Sequence, residues 1–205
     1  MERLADEPHT RLRYFCSPQH TDSALYPIIS QMERAAGFAH DDSAQAKLEK
    51  LHVVLAQTST SIENAALFAE MLSLLNDGRY PVLALDPQQR RLGTLEALTA
   101  QVEALSRQNP VLMILEDAHW ADPTSMEAFS RAVDRTRTFG VLLIVTYRPE
   151  FEPPWTGRPN VTVLTLNRLG EREIAAMIDG VTGNKRLRES VDFGSRLKSA
   201  DNPHA

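Results

Sequence analysis

Apolar residues recur along this chain in two rhythms. Between Pro27 and Leu75 they fall three and four apart: Ile28, Ile29, Met32, Ala35 and Ala36, then Leu48, Leu51, Val54 and Leu55, then Ala65, Phe68, Ala69, Leu72 and Leu75. That spacing lines one side of an α-helix, so three helices are predicted. Pro27 suits the first turn of the first helix and Gly37 its stop. Ser43 is placed to cap the second. Thr60-Ser61-Ile62-Glu63 matches a capping box for the third, which Asp77-Gly78-Arg79-Tyr80-Pro81 breaks. Asp86-Pro87 then opens a long helix predicted to run to about Gln108, with Leu92, Leu95, Leu98 or Thr99, Val102 and Leu105 inward.

The second rhythm is continuous. Val111-Leu112-Met113-Ile114-Leu115, after the turn signal Asn109-Pro110, reads as a strand buried on both faces of a parallel sheet. Val141-Leu142-Leu143-Ile144-Val145-Thr146-Tyr147 reads as a second continuous apolar strand. Leu12-Arg13-Tyr14-Phe15-Cys16, ended by Ser17-Pro18, is a shorter β-prone run. Val161-Thr162-Val163-Leu164-Thr165-Leu166 is expected to add a further strand, of mixed pattern. Asp122-Pro123 repeats the cap-and-proline signal before a stripe of Met126, Phe129 and Val133. A short helix is expected from Glu171 to Asp179, with Ile174, Met177 and Ile178 inward. Strand, helix, strand, loop, strand, helix is α/β order with a parallel sheet. After Gly183 the pattern fades into polar residues, which predicts a frayed or disordered tail over 183–205.

Composition narrows the class. Of 205 residues, 42% are hydrophobic and 24% charged, the balance of a globular domain with a real core. A net charge of −5 offers no electrostatic case for nucleic acid or an anionic membrane. No run approaches the roughly 18 apolar residues of a membrane helix. The acidic N-terminal residues lack the apolar core of a secretory signal. The single cysteine, Cys16, points to a reducing compartment, so a cytoplasmic location is expected. The scattered histidines form no HExxH pair and no Cys/His cluster, so no zinc site is expected.

Candidate chemistry gathers where the continuous runs end. Glu116-Asp117 follows the first run, and open α/β sheets bind ligands at the carboxyl ends of their strands. Two acids there can hold Mg²⁺ and orient or deprotonate a water. A buried strand with an acidic exit turn gives the same pattern. Arg148, beyond the second run, is placed to contact a phosphate from a neighbouring strand end, or to be a surface arginine at a loop mouth. His119-Trp120 could contact nucleotide or a neighbouring helix, with packing of Trp120 under the sheet edge the favoured reading, and Asp122 is expected to cap a helix rather than bind metal. Asp22, Asp41 and Asp42 read as solvated turn residues. The lysines, Lys47, Lys50, Lys185 and Lys198, none of which follows a glycine, leave no G-x-x-x-x-G-K-[ST] phosphate loop.

These words together resemble a family. Leu12-Arg13-Tyr14-Phe15-Cys16-Ser17-Pro18, Ala24-Leu25-Tyr26-Pro27, Gln88-Gln89-Arg90-Arg91, Leu95-Glu96-Ala97-Leu98, Glu116-Asp117-Ala118-His119-Trp120-Ala121-Asp122-Pro123-Thr124-Ser125, Thr146-Tyr147-Arg148-Pro149-Glu150-Phe151 and Pro153-Pro154-Trp155 resemble the predicted-ATPase domain found beside bacterial adenylate/guanylate cyclase domains. Those domains are AAA-like (STAND) P-loop NTPases, and the likeness runs from about Ala5 to Lys185. It implies that Glu116 and Asp117 are the Walker B pair near Mg²⁺, with metal coordination at Glu116 and water activation at Asp117. It also implies that Arg148 is a sensor-1-like arginine and that ATP with Mg²⁺ is the ligand.

The fold so implied is an incomplete P-loop NTPase-like parallel sheet flanked by helices, over residues 1–182. Its central first strand and phosphate loop would precede this chain. An internal fragment, or the product of a truncated or frameshifted gene, is therefore expected. The implied strand order, 5-1-4-3-2, leaves a gap flanked by Val141–Tyr147 and Val161–Leu166, so an unstable, re-paired or self-associating chain is expected. The expected function is a signal-transducing ATP-binding domain with weak or no hydrolysis alone, partnered by cyclase or other output domains. The alternative is a non-enzymatic remnant or protein-interaction module.

Overall fold

A computed structural model of the chain describes residues 7–182. The chain divides into two compact units, Met1–Thr162 and Val163–Ala205.

The first unit is built on a three-stranded parallel sheet. Its strands are β1 (Thr10–Phe15), β2 (Val111–Glu116) and β3 (Val141–Val145), in the spatial order β1-β2-β3. Thr10 pairs with Val111 and Phe15 with Glu116; Val111 pairs with Val141 and Leu115 with Val145. Among the described residues five α-helices accompany it: α1 (Tyr26–Ala36), α2 (Ala44–Ala56), α3 (Ile62–Met71), α4 (Pro87–Gln108) and α5 (Pro123–Arg135).

Helix ends follow their local chemistry. The Ser43 hydroxyl accepts from the Ala46 N–H at 3.1 Å. Asp86 and Gln89 exchange side-chain and backbone contacts in a reciprocal capping box. Gly37, at φ +65°, ends α1 in the left-handed region that a side chain would disfavour. The third helix departs from expectation. Its cap is Ser61, accepting from the Asn64 N–H, while the Thr60 hydroxyl is drawn to Thr58 and Gln101 of α4. Leu75, expected on its inner stripe, lies beyond the helix end and is 77% exposed.

The Val111–Leu115 strand, expected to be buried on both faces, is only half-buried on one of them, at Leu112 and Ile114. Successive strand side chains alternate between faces, and among the described residues only one face is fully covered. Val111, Met113 and Leu115 join Tyr14 and Cys16 under Ile28 of α1, Leu95 of α4 and Phe129 and Val133 of α5. On the other face Leu142 and Ile144 are 61% and 45% exposed, beside half-buried Leu112 and Ile114. A second cluster joins α2, α3 and α4 through Leu48, Leu51, Leu55, Phe68 and Ala97. Helix α4 therefore serves both clusters, with Leu95 in one and Ala97 in the other.

The strand expected over Val161–Leu166 is also not formed. Val161 packs against the first cluster, but Leu164 and Leu166 are 80% and 90% exposed. Alternating residues make a strand only where a neighbouring backbone lies about 4.8 Å away, and no described strand pairs with this segment.

In the second unit the described residues hold one helix, α6 (Glu171–Thr182). Its apolar stripe was expected inward, yet Ile174, Met177 and Ile178 are 46%, 58% and 44% exposed. The described part of that unit offers no second element on which the stripe could be buried. The expectation for 183–205 falls outside the described residues. No described helix is long and apolar enough to cross a membrane.

Leu95 has no exposed surface and Val53 of α2 is 54% exposed. Leu95→Ala should therefore lower the unfolding free energy by about 3 kcal/mol, and Val53→Ala should change it by less than about 0.5 kcal/mol. Urea denaturation of the two variants measures the difference.

Candidate functional site

Parallel strands bring their carboxyl ends to one rim. The β1 exit (Cys16), the β2 exit (Glu116-Asp117) and the β3 exit (Thr146-Tyr147-Arg148) therefore lie along the same edge of the sheet. The candidate acids and the candidate arginine are gathered there by topology alone.

The two acids differ in what they meet. Glu116 is the last residue of β2, and its side chain leaves on the uncovered face. Arg13, from the neighbouring strand on that same face, donates its Nε–H to Glu116 Oε1. The Arg13 guanidinium also lies 4.8 Å from the centre of the Phe15 ring. Both partners are partly exposed, so the pair contributes at most about 1 kcal/mol. Its larger effect is on direction, since it turns Glu116 toward β1.

Asp117 is held differently. Its backbone is left-handed, at φ +56° and ψ +44°, a region that aspartate tolerates better than most side chains. The chain turns there into a single 3₁₀ turn, Ala118–Trp120. Three contacts tie this exit to that of β3. The Asp117 N–H donates to the Thr146 hydroxyl at 3.1 Å, the Ala118 N–H to the Thr146 carbonyl at 2.9 Å, and the Thr146 N–H to the Leu115 carbonyl at 2.9 Å. The Asp117 side chain is exposed and forms no ion pair with a described residue.

Arg148 is exposed, two residues past the Thr146 clasp, and its guanidinium carbon lies 5.9 Å from the centre of the Trp120 ring. That geometry is a cation–π contact, worth roughly 0.5–1 kcal/mol at an exposed site. Arg148 makes no ion pair with a described residue. Trp120 packs against the first cluster, as its expected role required. Asp122 is 2% exposed, and its carboxylate accepts from the Thr124 and Ser125 N–H groups and the Ser125 hydroxyl. It is the cap of α5, fully engaged.

Behind the rim the Cys16 thiol is pushed up to about 12, first by burial and then by the carboxylates of Asp122 and Asp117. A thiol so protonated is no nucleophile at neutral pH. His119, in the 3₁₀ turn, has both ring nitrogens closed off from solvent without a hydrogen-bond partner among the described residues. Among those residues no three His, Cys, Asp or Glu side chains gather as metal ligands. Magnesium bound with phosphates takes only one or two protein carboxylates, so the acid pair is not thereby disqualified.

Two participants escape a sequence reading. Arg13 is 103 positions from Glu116 and meets it only through the register of β1 on β2. Thr146 is a lone polar residue at the end of an apolar run, and that is the one local signal of its clasp.

No family model matches the chain, and no solved structure matches it. An uncharacterized protein of Rhizobium meliloti (strain 1021) is 34% identical over 102 residues, covering 50% of this chain. The matched segment spans 10% of that protein, so the chain corresponds to a small part of it.

The Cys16 environment gives a pH dependence with a defined sign. The folded thiol titrates above its ordinary value of 9.0, so between about pH 9 and 12 the unfolded chain releases a proton that the folded chain keeps. This contribution to stability is complete below pH 9 and is lost as pH rises, at up to about 1.4 kcal/mol per pH unit. Urea unfolding at pH 8 and pH 10 should show a larger loss for the wild type than for Cys16→Ala; equal losses would exclude the thiol as the source.

Proposed function

We propose that the chain is an ATP-binding regulatory domain of the P-loop NTPase kind, retaining the Walker B and sensor-like positions and hydrolysing ATP weakly or not at all by itself. The observation that carries this reading is the rim. An acid pair leaves the middle strand, an arginine leaves the next parallel strand, and the Thr146 clasp holds the two exits together. The order β1-β2-β3 fits three neighbouring places in such a sheet, with the acid-bearing strand between the other two.

The charges support the same assignment. Asp117 and Arg148 are exposed, opposite in sign and free of ion pairs among the described residues. Asp117 would hold Mg²⁺, with Glu116 beside it, and Arg148 would contact a terminal phosphate. Bound Mg²⁺ would neutralise phosphate charge. Trp120 keeps the Arg148 guanidinium near the rim before any anion arrives. The sequence contains no glycine-rich loop with a following lysine to cradle the phosphates, hence the low expected activity. The resemblance to cyclase-associated domains makes a cyclase or similar signalling domain the proposed output.

One observation favours a second, non-enzymatic reading. Arg13 occupies Glu116, which removes one acid from the pair and makes it part of the sheet. In that case the module serves protein interaction.

Calorimetric titration with Mg-ATP separates the two. The nucleotide reading expects saturable binding below millimolar, weakened about tenfold, or about 1.4 kcal/mol, by Arg148→Ala. No binding up to millimolar concentration would leave the interaction reading. Hydrolysis above background that Asp117→Asn abolishes would contradict the expected inactivity.

A further inference from the structure

Beneath the helical layer, the packing of the first unit leaves a gap. It is a cavity of about 40 Å³ between α1, α4, α5 and the covered face of the sheet. Ile28, Leu98, Val102, Met113, Phe129 and Val141 are among its apolar walls. A water molecule needs about 10–15 Å³ of such space, so the cavity takes a chain of about three heavy atoms. Glu116, Asp117 and Arg148 do not line it, which separates it from the rim.

Three polar residues complete the wall: Tyr14, Thr99 and Arg135. Their hydrogen-bonding states differ, and the difference selects a ligand. The Thr99 hydroxyl is engaged, donating to the Leu95 carbonyl at 2.9 Å. Tyr14 is 5% exposed, and its hydroxyl meets no hydrogen-bond partner among the described residues. Buried phenols ordinarily find one. Burial pushes this phenol far above its usual range, so it stays protonated and remains a donor. Arg135 is exposed and forms no ion pair with a described residue.

Thr99 and Arg135 also line a wider polar groove on the surface between α4 and α5, so the cavity opens toward that groove. Most other charges of the groove are engaged: Glu103 with Arg107, Arg131 with Glu127 and Asp134 with Arg158. Glu96 makes no ion pair with a described residue, but it borders the groove and not the cavity.

We propose that the cavity is a binding site for a short aliphatic monocarboxylate of about four carbons. The carboxylate takes the two free donors, the Tyr14 hydroxyl and the Arg135 guanidinium, in charge-assisted hydrogen bonds. The hydrocarbon tail fills the apolar space. An amine would leave both donors unused, and a second carboxylate would be buried unpaired among Leu98, Val102 and Phe129. The inference is independent of the nucleotide reading, since no residue belongs to both sites.

A nuclear magnetic resonance titration of the full chain with acetate, propionate, butyrate, valerate and octanoate tests it. Butyrate should bind saturably in the millimolar range and shift the signals of Val102 and Phe129. Affinity should rise about fourfold for each methylene from acetate to butyrate, and stop rising beyond valerate. Arg135→Gln and Tyr14→Phe should each weaken butyrate at least about fivefold, while butanol binding is unchanged by Arg135→Gln. If Tyr14→Phe fails to fold, the exposed Arg135→Gln site carries the test. The inference is overturned if butyrate does not saturate up to about 100 millimolar, or if butylamine binds as tightly as butyrate. Affinity that keeps rising through octanoate, or butyrate binding that Arg135→Gln leaves unchanged, would overturn it as well.

Discussion

A double backbone ladder holds this structure in place. β2 is bonded to β1 on one side and to β3 on the other, and its register on both is continuous from Val111 onward. A slip of one residue would turn Val111, Met113 and Leu115 out of the core, because strand side chains alternate with a period of two. The same slip would move Glu116 away from Arg13. The ladder thus fixes the packing of the helical layer and the geometry of the rim together.

How far each part could be read from the chain depends on where its information lies. The helix starts at Ser43, Asp86 and Asp122 were legible because a cap is a local arrangement, complete within about four residues. Thr60 shows the limit of that locality. Its hydroxyl had a tertiary partner in Gln101, and Ser61 took the cap instead. The apolar runs at Val111 and Val141 gave the strands, but not what would cover them. An apolar run states that a strand can be buried on both faces, not which segments of the fold will lie against each of them. The segment from Val161 to Leu166 fails as a strand for the same kind of reason, since pairing is a property of two segments.

At the rim, the acids and Arg148 were legible as residue types at the ends of strands, and the parallel order that gathers them followed from the α/β pattern. Their different states were not legible. Glu116 is turned aside by Arg13, Asp117 is left open, and Arg148 rests on Trp120, each through contacts between residues brought together by folding. Asp122 was the easier case, because proline immediately after it marks a helix start, and a buried cap leaves its carboxylate no capacity for a metal.

The one-sided burial of the sheet also bears on how firmly the rim is positioned. Apolar side chains on the open face, such as Leu142 and Ile144, stay about half hydrated and gain less from folding than those on the covered face. The position of the strands is then set from the covered face, by Leu95 of α4 and Phe129 of α5, and along the edges by hydrogen bonds. Packing on one face resists lateral slip but leaves tilt of the strand ends less constrained. Polar contacts at the rim add further restraint there. Thr146 ties the β2 exit to the β3 exit, and Arg13, itself bonded through its carbonyl to Arg34, ties Glu116 to β1. These exposed links are individually weak, but together they hold the acid pair and Arg148 in register at the open end of the sheet.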